Sequence, residues 1–133
     1  MAKIVRITFL LRKRDDVTYE QFHKYWSEEH PKIWLSVPIV KQNLVKYSQF
    51  HADETLDLSG TGMPPVAPFD GAATMWAESL EDLHAIFSDP EYNRIVVPDE
   101  EKFLKRSEAV PIVGWDEVKF VKEVVHCELP NLI

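Results

Sequence analysis

Apolar positions change their period several times along the chain, and each change marks a new element. Residues 3–12, Lys-Ile-Val-Arg-Ile-Thr-Phe-Leu-Leu-Arg, are dense in β-branched and aromatic side chains and predict a first strand. From Thr18 the period becomes helical. Tyr19, Phe22, Trp26 and His30 fall within an arc of about 80°, while Glu20, Lys24 and Ser27 point elsewhere, so the first set predicts a buried face. Thr18 with Gln21 forms a capping-box pattern that starts this helix at residue 19. Pro31 disfavours helical geometry at the preceding residue, which puts His30 in the last turn or just beyond it.

Residues 31–39 read as a further helical turn or an irregular link stopped by Pro38, with Ile33, Trp34 and Val37 as apolar cover. Asn43 to His51 alternates as a second strand, with Val45, Tyr47, Gln49 and His51 on one face. That face mixes polar and aromatic groups, which suits a pocket wall better than plain core. Residues 53–69 have loop composition, including Ser59-Gly60-Thr61-Gly62 and Pro64-Pro65, and are long enough to serve as a lid. A third strand spans Asp70–Glu78. Ser79 then caps a helix whose stripe is Leu80, Leu83, Ile86 and Phe87. A second helical piece over 91–105 is expected to break at Pro98, with Phe103 and Leu104 turned inward and the Asp99-Glu-Glu run solvated. The last strand is expected from Val110 to Val125, irregular at its start because of Pro111 and Gly114.

The order β-α-β-β-α-β is the split βαβ pattern of a ferredoxin-like α+β sandwich. Its helices cover one face of an antiparallel sheet. The other face calls for a partner, and in a chain this small a second copy is the economical one.

Composition narrows the function classes. A chain of 133 residues, 45% hydrophobic and 28% charged, is one domain with one core. Its formal charge of −7 argues against nucleic acid or an anionic membrane as partner, because both demand a field of Lys and Arg. The single cysteine, Cys127, excludes an internal disulfide, and the N-terminal residues carry no signal-peptide pattern. A reducing, cytoplasmic setting is therefore expected.

Four stretches carry a family resemblance: Phe9-Leu-Leu-Arg-Lys-Arg, Tyr19-x-x-Phe22-x-x-Tyr25-Trp26-x-x-x-His30-Pro31, Lys46-Tyr-Ser-Gln-Phe-His51, and Phe69-Asp-Gly71 leading to Trp76. Together they resemble the EthD-domain branch of the dimeric α/β-barrel proteins, and in particular small fungal tailoring enzymes of aromatic polyketide pathways that act as decarboxylases, dehydratases or cyclases. The resemblance covers roughly residues 4–122, with 123–133 a tail outside it. It implies a homodimer formed by packing two sheets, and a pocket between helices and sheet that uses neither cofactor nor metal.

The chemistry then centres on histidines. His30, at the end of an aromatic stripe, and His51, at the end of a strand, are candidate proton-transfer groups. Matching faces between strands two and three puts His51 opposite or nearly opposite Asp70, with Tyr47 near Thr74. Asp70 would orient the His51 imidazole; the plainer reading is a hydrogen bond that closes the end of the sheet. Phe22, Trp26, Tyr47, Gln49 and Trp76, with Trp34 as a further candidate, would contact fused rings, and Tyr47 or Gln49 would donate to a developing enolate. His23, His84 and His126 read as surface or structural. Decarboxylation of a polyketide carboxylic acid leads. Cyclisation or dehydration in the same pocket stays open, as do a non-catalytic dimer that sequesters a hydrophobic phenol, an accessory protein for a larger oxidase, and a cofactor-free oxygenase.

Overall fold

The computed structural model describes residues 3–123. The strands are β1 (Val5–Leu11), β2 (Lys46–His51), β3 (Gly71–Ala77) and β4 (Val110–Gly114). They form one sheet in the order β2-β3-β1-β4, antiparallel throughout, which is the ferredoxin-like arrangement. The helices are α1 (Tyr19–Glu28), α2 (His30–Trp34), α3 (Pro38–Asn43), α4 (Leu80–Ser88) and α5 (Pro90–Glu100).

Register sorts the side chains into two faces. One carries the rows Tyr47–Met75–Ile7–Val113, Gln49–Ala73–Phe9–Pro111 and His51–Gly71–Leu11. Ala73, Met75, Ala77 and Leu11 of this face join Phe22, Trp26, Trp34, Val40, Leu83, Ile86 and Phe103 in the core. The opposite face carries Lys46–Trp76–Arg6–Gly114, Ser48–Thr74–Thr8–Ile112 and Phe50–Ala72–Leu10–Val110. Phe50 and Ile112 on it are each 66% exposed.

The capping box at Thr18 is present in both directions. Gln21 N donates to Thr18 Oγ1 at 3.1 Å, and Thr18 N donates to Gln21 Oε1 at 2.9 Å. Phe22, Trp26 and His30 are buried as the helical period requires, but Tyr19 is exposed under the Lys13 ammonium. It is the first residue of α1. His30 opens α2 instead of ending α1. Pro38 likewise begins a helix, where its missing amide costs nothing. Leu44 then donates its amide back to Val40 O, so β2 starts at Lys46 and not at Asn43.

At the other end α5 runs through Pro98 to Glu100, because the one bond Pro98 forfeits falls in the final turn. Asp99 is buried there, which overturns the solvated reading of the acidic run. β4 stops at Gly114. Residues 115–123 form no strand, and the remainder of the expected strand lies outside the described residues, as do Cys127 and His126.

Gly71 lets α1 reach the sheet. A Cβ at this position would sit 2.6 Å from Cζ3 of Trp26 and 2.9 Å from the Phe50 carbonyl oxygen. Gly71→Ala is therefore expected to cost roughly 1–3 kcal/mol by overpacking, read by urea unfolding. Gly114→Ala, with open space around its Cβ, is the control expected to lie much nearer wild type.

Candidate active site

An imidazole pair occupies the end of the sheet where α1 crosses it. Alternation along β2 turns Tyr47, Gln49 and His51 toward the helices, and the helical period brings His23 of α1 over the end of the strand. His51 Nδ1 lies 2.7 Å from His23 Nδ1. The other nitrogen of His51, Nε2, is 2.9 Å from Gln49 Oε1. Gln49 is held in turn: its Nε2 donates to the Trp26 carbonyl at 2.7 Å and to the Tyr47 hydroxyl at 3.1 Å. Trp26 O is among the last carbonyls of α1, which lack partners within the helix, so Gln49 caps the helix while it orders the histidine.

Aromatic walls fix the rings. The Trp26 ring lies 4.6 Å from that of His51, and Phe22 lies 5.0 Å from His23. The pair opens onto a groove of about 610 Å³ lined by His23, Lys24, Ser27, Glu28, His51 and the chain from Ala52 to Glu54. Glu54 Oε2 stands 4.0 Å from His23 Nε2. Burial, and then the nearby charge of His23, lower the His51 pKa. Burial also pushes the Tyr47 phenol up to about 12, so it is a hydrogen-bonding group and not a base at neutral pH.

The lowered pKa has a consequence for stability. The unfolded chain binds the His51 proton more readily than the folded one, so stability rises with pH across the ordinary histidine range and is lost as pH falls through it. The thermal midpoint is expected to drop on mild acidification, with a shallower slope in His51→Gln. An equal slope in the variant would show that His51 does not carry the effect.

A second histidine centre is enclosed. His30 is 3% exposed and its Nδ1 lies 2.6 Å from Asp99 Oδ2, while the Tyr25 hydroxyl donates to Asp99 Oδ1. Phe103 covers the His30 ring at 5.1 Å. A smaller cavity of about 380 Å³ lies beside it, lined among others by Tyr25, Phe103 and Lys102. Burial, ahead of the hydrogen bond to Asp99, raises the Tyr25 pKa to about 12. Deeper in, Trp34 Nε1 donates to the Tyr92 hydroxyl at 3.0 Å, and burial raises the Glu100 carboxyl although Arg106 bonds it.

Two expectations are corrected here. Asp70 does not meet His51: the register pairs His51 with Gly71, so Asp70 falls on the other parity. Its carboxylate accepts from Lys13 N at 2.8 Å, tying the end of β1 to the start of β3. The orienting partner of His51 is Gln49. The same one-residue offset pairs Tyr47 with Met75 and puts Thr74 and Trp76 on the opposite face. There Trp76 Nε1 donates to Asp116 Oδ2, between the Lys46 and Arg6 cations, away from Trp26 and Tyr47. Phe22 and Trp26 are fully buried in the core behind the histidines, Tyr47 and Gln49 stand behind His51 on β2, and none of the four is among the residues that line the groove; Trp34 stacks on Tyr47 at 4.4 Å. His23, expected as a surface or structural residue, instead pairs with His51 at the groove, and Asp99, expected in solvent, is buried. His84 is exposed on α4 as expected.

Among the described residues, no three His, Cys, Asp or Glu side chains converge on a metal position, and no helix is long and apolar enough to cross a membrane.

Comparison with known proteins places this architecture. Decarboxylase nsrE of Aspergillus novofumigatus (strain IBT 16806) is 27% identical over 131 residues, covering 91% of this chain and 82% of that one. A dimeric ferredoxin-like protein of unknown function from Bacteroides fragilis NCTC 9343 superimposes with a TM-score of 0.57 at 14% identity, over 85% of this chain and 96% of that one. The hydroxynitrile lyase of Passiflora edulis superimposes with a TM-score of 0.59 at 14% identity, over 91% of this chain and all of that one (100%). The family model for the EthD domain matches residues 14–107, which include both histidine centres, and the chain belongs to the EthD domain family.

Proposed function

We infer that the protein is a lyase that decarboxylates an aromatic polyketide carboxylic acid without a cofactor, using the imidazole pair at the groove for proton transfer. The observation that carries this reading is the placement of His51 and His23 at 2.7 Å, ordered from behind by Gln49 and open to the groove in front. The decarboxylase name of the Aspergillus relative and the lyase name of the Passiflora neighbour support the reaction class.

Loss of CO2 from a β-keto acid leaves the bonding pair of electrons on the α-carbon, delocalised onto the ketone as an enolate. That charge needs a hydrogen-bond donor as it develops, and the carbon then needs a proton. A protonated imidazole pair supplies both. Lys24, in the groove lining, is the cation placed to meet the carboxylate before it departs. Trp26 and Phe22, both fully buried, brace the two histidines from behind. His30, buried and held by Asp99, is assigned to shaping this end of the fold and not to the proton transfer itself.

The test is product analysis. Purified protein incubated with an anthraquinone-type β-keto acid should release CO2 and leave the decarboxylated ring system. Loss of water instead would move the assignment to dehydration or cyclisation. Stoichiometric retention of unchanged ligand would favour a binding protein.

The same reading includes a homodimer closed through the open sheet face, where Phe50 and Ile112 stand exposed. Dimerisation of the Bacteroides fragilis neighbour supports it. Sedimentation velocity is expected to give a dimer, and Ile112→Asp a monomer. A monomeric wild type at micromolar concentration would remove the barrel from the proposal.

A further inference from the structure

We propose that His23, through Nε2, is the group that exchanges the proton with the substrate, and that His51 is its positioning partner. The inference rests on the lyase reading of the groove and assigns the atom that does the work.

Obligatory donors and acceptors fix the two tautomers. The Trp26 carbonyl can only accept, so the atom of Gln49 facing it at 2.7 Å must be the amide nitrogen. That orientation turns Gln49 Oε1 toward His51. Since Oε1 also can only accept, His51 Nε2 at 2.9 Å must carry the hydrogen. A neutral His51 then has its lone pair on Nδ1. The 2.7 Å contact there requires the hydrogen to come from His23 Nδ1. A neutral His23 with its hydrogen on Nδ1 has its lone pair on Nε2, the atom that looks toward Glu54. Four groups, each with one allowed role, thus leave a single basic nitrogen at the open end.

An added proton has two destinations. On His51 Nδ1 it would confront the His23 Nδ1 hydrogen at 2.7 Å and force His23 to change tautomer, beside the Trp26 ring at 4.6 Å. On His23 Nε2 it leaves every bond of the chain intact and gains Glu54 at 4.0 Å. The groups facing His23 are Lys24 and Glu28 from α1, His51 from β2, and Asp53 and Glu54 from the loop that follows. Lys24 is the one fixed cation among them, beside three carboxylates. In turnover the Nε2–H bond breaks, its hydrogen forms the new C–H bond at the enolate carbon, and its electron pair stays on Nε2. Solvent then returns the proton.

Histidine side-chain ¹⁵N NMR on the full chain reads this without a substrate. The expected result is His51 in the Nε2–H form throughout the titration, and His23 in the Nδ1–H form gaining its second proton at Nε2. His51 titrating at Nδ1, or His23 in the Nε2–H form, overturns the proposal. Kinetics give the second arm. His23→Gln should lower kcat/KM about 10²–10⁴-fold and abolish the histidine limb of its pH profile. His51→Gln, whose amide oxygen can still accept from His23 Nδ1, should keep that limb, displaced, and recover part of the rate lost in His51→Ala. A limb that survives His23→Gln and vanishes in His51→Gln overturns the assignment. Expected tautomers without CO2 release would leave the relay standing and sink the reaction.

Discussion

Replacing His51 by alanine is expected to lower decarboxylation turnover by about 10²–10⁴-fold while the protein stays folded, the range that positioned proton transfer contributes. The effect is large although His51 is assigned a supporting part, because the variant removes the acceptor that holds the hydrogen of His23 on Nδ1. Without that bond the His23 ring is no longer held with Nε2 toward the groove. His51 is also half-buried at the sheet end, with Trp26 on one side, so alanine leaves a gap that water can enter. Circular dichroism and the thermal midpoint separate this from unfolding, and turnover within a few-fold of wild type in a folded variant would remove the imidazole pair from the mechanism.

The second large effect concerns stability. Asp99→Ala is expected to cost about 3–5 kcal/mol in urea unfolding, because it breaks a buried pair by removing one member. Asp99 is 3% exposed, and its two oxygens take the Tyr25 hydroxyl and His30 Nδ1, with the Lys102 ammonium at 3.5 Å. Alanine would strand two donors from α1 and α2 beneath Phe103. Asp99→Asn retains one acceptor oxygen, and the Tyr25 hydroxyl can rotate to accept from the new amide, so its loss should be clearly smaller. A loss below about 1 kcal/mol for alanine would mean that the pair adds nothing to stability beyond an exposed one.

The family, the split βαβ order and the first helix were legible because their signals are local. A capping box, an aromatic stripe at helical spacing and strands of alternating side chains depend on neighbours within a few residues, and the structure reproduces them at Thr18–Gln21, Phe22–Trp26 and Tyr47–His51. Phe103 and Leu104 turned inward as their apolar character requires. The errors have a different origin. Asp99 and His23 are polar residues in helices, and residue type alone assigns such positions to solvent. Only the approach of α5 to α2 gives Asp99 the partners that justify burial, and only that of α1 to β2 gives His23 its partner at the groove.

Register is the sharpest case. His51 was placed on the correct face, yet its cross-strand partner was off by one residue. Because side chains alternate with a period of two, that single step exchanged Asp70 for Gly71 and moved Trp76 to the far side of the sheet. The long 53–69 connection between β2 and β3 carries no tight-turn chemistry that would set the pairing. The observed register puts Gly71 beneath the Trp26 ring, where a Cβ would not fit, and Trp26 lies far away in sequence.

The amino-acid sequence by itself thus determined the elements, their order, the family and the residue types available for acid–base chemistry, since each follows from short-range pattern. Tertiary structure alone decided which of those residues meet. It gave His51 a glutamine and a second histidine in place of a carboxylate, and it enclosed His30 with Asp99. Those pairings depend on strand register and helix docking, which are settled by packing across the whole core.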